Sequence, residues 1–391
     1  MSEQNEFNVI IFGASGFTGR LVAEYMHKQY GQDKGVRWAM AGRSADKLAA
    51  VRDEMGLPAD TPLVTADTDD EASLRAMVAR TDVLLTTVGP YQLYGSGVVA
   101  ACADLGVDYV DLTGEPLWMY DMIAAHEARA KETGARIVFS CGFDSVPFDL
   151  GVLYLQNAAK AAFGAAAPRV RGRVRAMNGE FSGGTVASFL GSLKRLEAEP
   201  EIFSRMVDPF SLANGFQGPE QPAGNKVCED ELLGSWLAPF IMAPINTKNI
   251  HRSNALMGHA YGEDFVYDEM MMAGPGDEGK AVAEMVAGMD MLAGDVPQPG
   301  EGPSKESREA GNYDVLFVGE MPDGRLIKAG VTGDMDPGYG STSKMLAESA
   351  VCLALDCAET PGGILTSAPA MGDKLIARLV ANAGLTFNLE D

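Results

Sequence analysis

The chain reads as α/β: a doubly wound parallel sheet followed by a second α+β domain built on a mixed sheet. Three observations predict this. Residues 9–20 run from an unbroken apolar strand through a glycine turn into a helix. Strand and helix then alternate to about residue 140. Beyond about residue 150 the rhythm changes, and residues 169–175 alternate arginine with valine or glycine at period two. Alternating strands and helices close by right-handed crossovers into a parallel sheet, whereas period two marks a strand with one exposed face. At 391 residues the chain exceeds one ordinary core. The pattern divides it into residues 1–150, 151–340 and a helical stretch, 341–391, expected to return to the first domain.

Residues 9–12 are β-branched or aromatic, as a strand buried on both faces requires. The turn that follows, Gly13-Ala14-Ser15-Gly16-Phe17-Thr18-Gly19, has the form of a dinucleotide-binding turn. Gly13 permits the tight bend, Gly16 lets a pyrophosphate approach the backbone, and Gly19 lets the helix lie close on the strand. Free N–H groups at the helix start then hold the phosphates, with hydroxyls of Ser15 and Thr18 as additional donors. The spacing is GxxGxxG rather than GxGxxG, a variant that resembles many NADP-dependent reductases. At the end of the second strand, where an NAD site usually places an acid, stands Arg43. Its guanidinium suits the 2′-phosphate of NADP, with Ser44 and Lys47 nearby. Asp67 and Thr68 follow the third strand, where adenine contacts are expected. Val88-Gly89-Pro90-Tyr91 follows the fourth strand, at the ligand-binding edge of the sheet.

Later elements are read more coarsely. Residues 148–163, 185–198, 281–292, 343–357 and 371–383 read as helices. Residues 298–304 read as a loop, and 313–319 with 326–331 as strands paired around Pro322-Asp323-Gly324. Residues 208–250, rich in Pro, Gly and Asn, read as a long excursion over the surface, as a lid or a dimer contact.

A formal charge of −23 argues against general affinity for nucleic acid or anionic membranes. Five cysteines without a CxxC or Cys/His cluster give neither a disulfide framework nor a zinc site, and a reducing cytoplasm is the simplest home. The acidic, polar N-terminus shows no signal peptide, and no apolar run reaches the roughly 20 residues of a membrane helix. The four histidines are scattered, and GxSxG and HExxH are absent, so hydrolase and metalloenzyme chemistry find no support.

The glycine turn, Ala41-Gly42-Arg43, Val88-Gly89-Pro90-Tyr91, Tyr109-Val110-Asp111-Leu112-Thr113-Gly114-Glu115 and Gly142-Phe143-Asp144-Ser145-Val146-Pro147, in this order, resemble the saccharopine dehydrogenase-like oxidoreductases. Within that family the chain looks like the trans-acting enoyl reductase branch, with which it also shares Pro299-Gly300-Glu301-Gly302-Pro303-Ser304 and Asp336-Pro337-Gly338-Tyr339-Gly340. The resemblance implies a Rossmann-type NADP(H) domain and a mixed-sheet substrate domain. It also implies hydride transfer to the C=C bond of a lipid or polyketide enoyl thioester. The alternatives are a saccharopine reductase-type imine or amino-acid dehydrogenase and a non-catalytic NADP-binding protein. A homodimer is expected.

For the proton that must accompany the hydride, Tyr91, Asp144 and Glu115 are candidates, each after a strand end on the ligand edge. Tyr91 also reads as a packing aromatic, and the two acids as helix caps or ribose contacts. Arginine is sparse after residue 200, which disfavours a poly-carboxylate substrate. Met270, Met271, Met272, Met285, Met289 and Met291 suit either a pocket that moulds to a lipid chain or ordinary core. Finally, Arg169, Arg171, Arg173 and Arg175 fall on one strand face. They read either as a dock for an acidic acyl carrier domain or coenzyme A, or as a face neutralised by acids of neighbouring strands.

Overall fold

The computed structural model describes residues 5–31, 35–180, 183–289 and 300–391. β1 (Phe7–Phe12) is buried along its whole length in the middle of a sheet covered on both faces. α1 (Phe17–Tyr30), β2 (Trp38–Gly42), α2 (Ala45–Glu54), β3 (Leu63–Thr65), α3 (Glu71–Val78) and β4 (Thr81–Thr86) follow in the expected alternation. So do α4 (Tyr91–Tyr94), α5 (Ser96–Leu105), β5 (Asp108–Val110), α6 (Pro116–Thr133) and β6 (Arg136–Val138). Neighbouring strands pair in parallel in the order β3-β2-β1-β4-β5-β6. Chain order reverses between β1 and β4, which opens a crevice at their carboxyl ends.

α7 (Val146–Phe163) carries the chain to the second sheet. There follow β7 (Arg169–Asn178), α8 (Gly183–Ala198), α9 (Phe203–Val207), β8 (Cys228–Asp230), β9 (Ser235–Pro239) and α10 (Ala243–Leu256). Next come β10 (Val266–Gly274), α11 (Gly276–Ala287), α12 (Lys305–Ala310), β11 (Asn312–Glu320) and β12 (Leu326–Gly333). β11 and β12 form the expected hairpin, with Gly324 at positive φ in its turn. The helix expected at 281–292 begins at Gly276, while residues 290–299, including Met291, Gln298 and Pro299, lie outside the described residues.

The C-terminal stretch does more than return to the first domain. α13 (Thr342–Asp356) packs against α1, β1 and β4. β13 (Gly363–Leu365) adds a strand beside β6. After α14 (Ser367–Ala370) and α15 (Gly372–Arg378), β14 (Leu385–Glu390) pairs with β12. The second sheet, ordered β14-β12-β11-β7-β10-β9-β8, is mixed, with β7 and β10 parallel and its other neighbours antiparallel. One fully buried carboxylate ties this stretch down: Glu348 accepts from the hydroxyls of Tyr25 (2.7 Å) and Tyr30 (2.6 Å), from Arg378 (3.2 Å) and from Asn382 (3.3 Å).

One sequence expectation is corrected, and one choice left open by the sequence is decided. Residues 208–250 are not merely a surface excursion, because they contain β8 and β9 and lead into α10, which is buried from Ile245 to Asn254 apart from Thr247. Its buried residues are mostly polar, so no apolar period marks the helix. They are tolerated because partners surround them. Arg252 donates to the Leu212 carbonyl (2.6 Å), Asn214 Oδ1 (2.9 Å), Glu127 (3.1 Å) and the Ile364 carbonyl, and Asn254 donates to the Gly262 carbonyl (2.8 Å).

The arginine face is neutralised. Arg169 pairs with Asp268, and Arg171 pairs with Glu320 (2.5 Å) and Asp230 (3.5 Å). Arg173, fully buried, pairs with Asp230 (3.2 Å) and Asp268 (2.9 Å), and Arg175 pairs with Asp314 (2.7 Å) and Glu390 (2.6 Å). These side chains hold neighbouring strands together and are not available as a docking strip.

Glu348→Ala should lower the thermal unfolding midpoint by the equivalent of about 2 kcal/mol, because it removes the buried acceptor shared by the Tyr25 and Tyr30 hydroxyls and one of the two carboxylates paired with Arg378. Glu348→Gln, which keeps an acceptor, should lose less. Equal midpoints for wild type and Glu348→Ala in a calorimetric scan would contradict this anchoring role.

Candidate functional site

The glycine turn has the geometry a dinucleotide needs. Gly13 has φ of 92°, and a Cβ there would lie 2.8 Å from Thr87 Oγ1. A Cβ on Gly19 would lie 2.2 Å from the Gly13 carbonyl oxygen, so the first turn of α1 sits directly on the bend. Gly16 is exposed at the N-cap of α1, and a Cβ there would meet only the Gly13 carbonyl, at 3.3 Å. The N–H groups at the start of α1 have no side-chain cap, which leaves them for an anion. Ala14 is buried beneath the turn, whereas Phe17 and Thr18 line the cleft above it.

Arg43, Ser44 and Lys47 stand together at the start of α2 and are exposed. Ser44 is the N-cap, its hydroxyl accepting from the Lys47 N–H (3.2 Å). Arg43 and Lys47 make no ion pair among the described residues, so both charges stay free for a phosphate. Asp67 and Thr68 come alongside because the Ala66 N–H donates to the Gly42 carbonyl (3.1 Å). Val88, Gly89 and Pro90 follow β4 on the other side of the bend, with Val88 Cγ2 in the space that a Cβ on Gly13 would fill.

From this turn a cavity of about 1090 Å³ runs between the two sheets. Tyr91 and Glu115 lie on its wall, but their polar atoms are occupied. The Tyr91 hydroxyl donates to the Thr86 carbonyl (3.2 Å) and accepts from the Leu112 N–H (3.3 Å), and burial holds its pKa well above the usual range. The Glu115 carboxylate accepts from the N–H groups of Tyr91 (2.9 Å) and Gln92 (3.0 Å) and from Ser188 (2.9 Å). Both shape the turn after β4.

Asp144 differs. It lines the cavity and makes no hydrogen bond or ion pair among the described residues, and burial pushes its carboxyl up to about 6. Its loop is held open by Ser140, whose φ of 59° is rare for a residue with a side chain. The Asp111 carboxylate stabilises that conformation by accepting from the Ser140 N–H (2.8 Å), while the Ser140 hydroxyl donates to the Thr113 carbonyl (2.6 Å).

Sequence reasoning missed several residues of the second wall. Lys248, nearly fully buried, donates to the Met206 carbonyl (2.8 Å), and burial pushes its amine down to about 8 against the opposing charge of Asp208. Tyr267 and Glu269 line the cavity from β10. Tyr339 stacks edge-on to Phe17 (5.2 Å) and shares a hydrogen bond with Thr185 (2.8 Å), so the Asp336–Gly340 segment covers the glycine turn. The expected methionines are not the ones at the cavity. Met177, Met206 and Met242 line it, whereas Met270 is buried against Cys228, Met285 is exposed on α11 and Met289 is exposed just beyond its end. Only tertiary contacts decide which thioether faces the cleft. Among the described residues no cluster of His, Cys, Asp and Glu is placed to hold a metal ion.

Strand order, glycine turn and exposed arginine together define an NADP-binding oxidoreductase. Residues 9–138 match the saccharopine dehydrogenase NADP binding domain. A Mycobacterium tuberculosis (strain ATCC 25618 / H37Rv) protein provisionally named a trans-acting enoyl reductase is 40% identical over 411 residues, covering 98% of this chain and 97% of its own. The trans-acting enoyl reductase of Mycobacterium ulcerans (strain Agy99) is 38% identical over 410 residues, with 97% and 96% covered. In fold the chain is similar to apo saccharopine dehydrogenase (L-Glu forming) from Saccharomyces cerevisiae, with a TM-score of 0.55 and 13% identity over 98% of this chain and 100% of that one. The chain belongs to the saccharopine dehydrogenase-like family of NADP-dependent oxidoreductases, in the trans-acting enoyl reductase branch.

Arg43→Ala should weaken NADPH binding by about 1.5–3 kcal/mol and leave NADH binding nearly unchanged, by fluorescence titration. An equal loss for both cofactors would remove Arg43 from the 2′-phosphate. Gly19→Ala should abolish NADPH binding, since its methyl collides with the Gly13 carbonyl. Wild-type affinity in that variant would show that the bend can relax.

Proposed function

We propose that the protein reduces the C=C bond of an enoyl thioester bearing a lipid or polyketide chain, with Asp144 as the proton donor. The observation that carries this is the continuity of one cleft from the glycine turn past Asp144 to an apolar rim. Phe189 and Leu193 of α8, with Val207 and Ile241, line that rim while remaining exposed. Exposed apolar side chains beside a deep cleft suit an extended hydrocarbon substrate. The names of the mycobacterial relatives support the same reaction.

Held by the glycine turn Gly13–Gly19 and by Arg43, NADPH would supply the hydride, here to the β-carbon of the acceptor. The protein must orient the acceptor, exclude water and deliver a proton to the α-carbon. Asp144 suits the last task because its unpartnered carboxyl holds a proton to a higher pH than an exposed acid would. Tyr91 and Glu115 contribute by holding the β4 turn in place. The thioester is carried on coenzyme A or on an acyl carrier domain. That carrier docks elsewhere than on the arginine face, whose charges are paired.

With trans-2-octenoyl-coenzyme A as probe, NADPH oxidation is expected for the wild type, and Asp144→Asn should lower kcat about a hundredfold while leaving NADPH affinity unchanged. Because the acid must be protonated, kcat/KM should fall as pH rises through about 6, and this limb should vanish in Asp144→Asn. An unchanged pH profile in the variant would exclude Asp144. Turnover of saccharopine without any enoyl turnover would overturn the reaction class.

A further inference from the structure

β10 presents two acids in succession to opposite sides of the second sheet. Asp268 turns to the arginine face, where it pairs with Arg169 and Arg173. Glu269 turns to the other side, lies opposite Gly172 in register, and is nearly fully buried. Its surroundings are made by absence: a Cβ on Gly172 would lie 2.5 Å from the Tyr267 hydroxyl and 2.9 Å from Glu269 Cγ. Glycine at this position therefore leaves room for both side chains. Tyr267 and Glu269 both line the cleft.

They are satisfied only loosely, by one another: the Glu269 carboxyl interacts with the Tyr267 hydroxyl and with the Asn246 amide. Both carboxyl oxygens of Glu269, the Tyr267 hydroxyl and the Asn246 amide nitrogen are buried without a well-formed hydrogen bond among the described residues. Buried polar groups in that state are uncommon and costly, so four such atoms in one place call for a partner. Asn246 is also oriented. Its Oδ1 accepts from Ser145 (3.2 Å), and Ser145 in turn accepts from Asn249 (2.7 Å), so the amide N–H groups point away from that bond. Ser145 follows Asp144 directly, which places the cluster one hydrogen-bonded link from the proposed acid.

We propose that Glu269 and Tyr267 in the cleft wall, backed by Asn246, form a hydrogen-bonding subsite that receives an uncharged carbonyl oxygen of the substrate. The identity of that carbonyl as the thioester rests on the enoyl reading above. Burial pushes the Glu269 carboxyl well up, which favours its protonated form, with hydrogen bonds from Asn246 and Tyr267 opposing this only in part. A protonated carboxyl, a phenol and an amide present three donors and no net charge. Arg173 is unavailable to a carboxylate ligand because it is paired on the far face, and the cavity's one lining lysine among the described residues, Lys248, is held by the Met206 carbonyl. An ammonium ligand would require a buried Glu269 to ionise.

Binding to the NADP-loaded protein tests this with three probes that share one tail: N-octylacetamide, octylamine and octanoate, measured by calorimetry. N-octylacetamide is expected to bind, with octylamine and octanoate at least about tenfold weaker. Glu269→Leu should weaken N-octylacetamide about tenfold without changing NADPH affinity or lowering the unfolding midpoint, and Glu269→Gln, which keeps a neutral donor, should restore binding. Preference for octylamine, lost equally in Glu269→Gln and Glu269→Leu, would mean that an ionised Glu269 reads a cation, and would overturn the proposal. So would equal affinity of wild type and Glu269→Leu for N-octylacetamide. KM for trans-2-octenoyl-coenzyme A separates the two readings. Turnover with the same KM in Glu269→Leu sinks the subsite and keeps the enoyl reading. Amide binding that depends on Glu269, without enoyl turnover, keeps the subsite and sinks the reaction.

Discussion

The approach of the first helix to the first bend governs the layout of the site. With 2.2 Å between the position of a Gly19 Cβ and the Gly13 carbonyl, α1 can dock only if residue 19 lacks a side chain, while Thr87, Val88 and a φ of 92° impose the same on Gly13. That contact aims the free N–H groups of the helix start into the crevice between β1 and β4, where a pyrophosphate is attracted by both hydrogen bonds and the helix dipole. The rest of the cofactor wall is measured from there. Arg43 lies one strand away at the end of β2, Gly89 one strand away at the end of β4, and Asp144 beyond β6.

A dinucleotide crevice is open by construction, and this chain covers it from the far end of the sequence. Phe17, at the first position of α1, packs under Tyr339, and Gly302 passes so close that a Cβ there would lie 2.5 Å from the Phe17 ring. The Asp336 carboxylate fixes this cover by accepting from the N–H groups of Tyr339 (2.9 Å) and Gly340 (2.7 Å). The two domains are likewise bound by buried polar contacts rather than by apolar packing alone. Asp149 of α7 accepts from Ser253 (2.5 Å), Ser367 (2.8 Å) and the Ala368 N–H (2.8 Å), joining three elements, while burial pushes its carboxyl up to about 6. Its raised pKa means that the folded state holds this proton more tightly than the unfolded chain. The stability it contributes is complete below about 4 and declines as pH rises through about 6.

The two faces of β10 and β7 show how one strand pair serves two purposes. On the outer face four arginines meet five carboxylates across strands, which knits the mixed sheet together. On the inner face, where ionic partners are missing, burial pushes the Glu269 carboxyl well up, toward its neutral form, beside Tyr267. Charge on one side and neutrality on the other follow from which neighbours each face meets, not from the residues themselves.

Local pattern was enough to read the parallel sheet, the glycine turn, the arginine at the end of the second strand and the mixed character of the second sheet. Each is encoded within about twenty residues by periodicity, by glycine spacing or by one residue at a strand end. Three things were decided only by the tertiary structure. The buried polar helix α10 carries no apolar period, because its interior contacts are hydrogen bonds supplied by distant segments. Strands β13 and β14 are short pieces recruited one to each sheet, visible only once the edges they complete exist. The distinction among Tyr91, Glu115 and Asp144, three equivalent candidates by position, came from which polar atoms the fold had already used. The polar atoms of Tyr91 and Glu115 are taken up by backbone groups and Ser188, while the half-buried Asp144 has no partner among the described residues, and no sequence pattern records whether a side chain is satisfied.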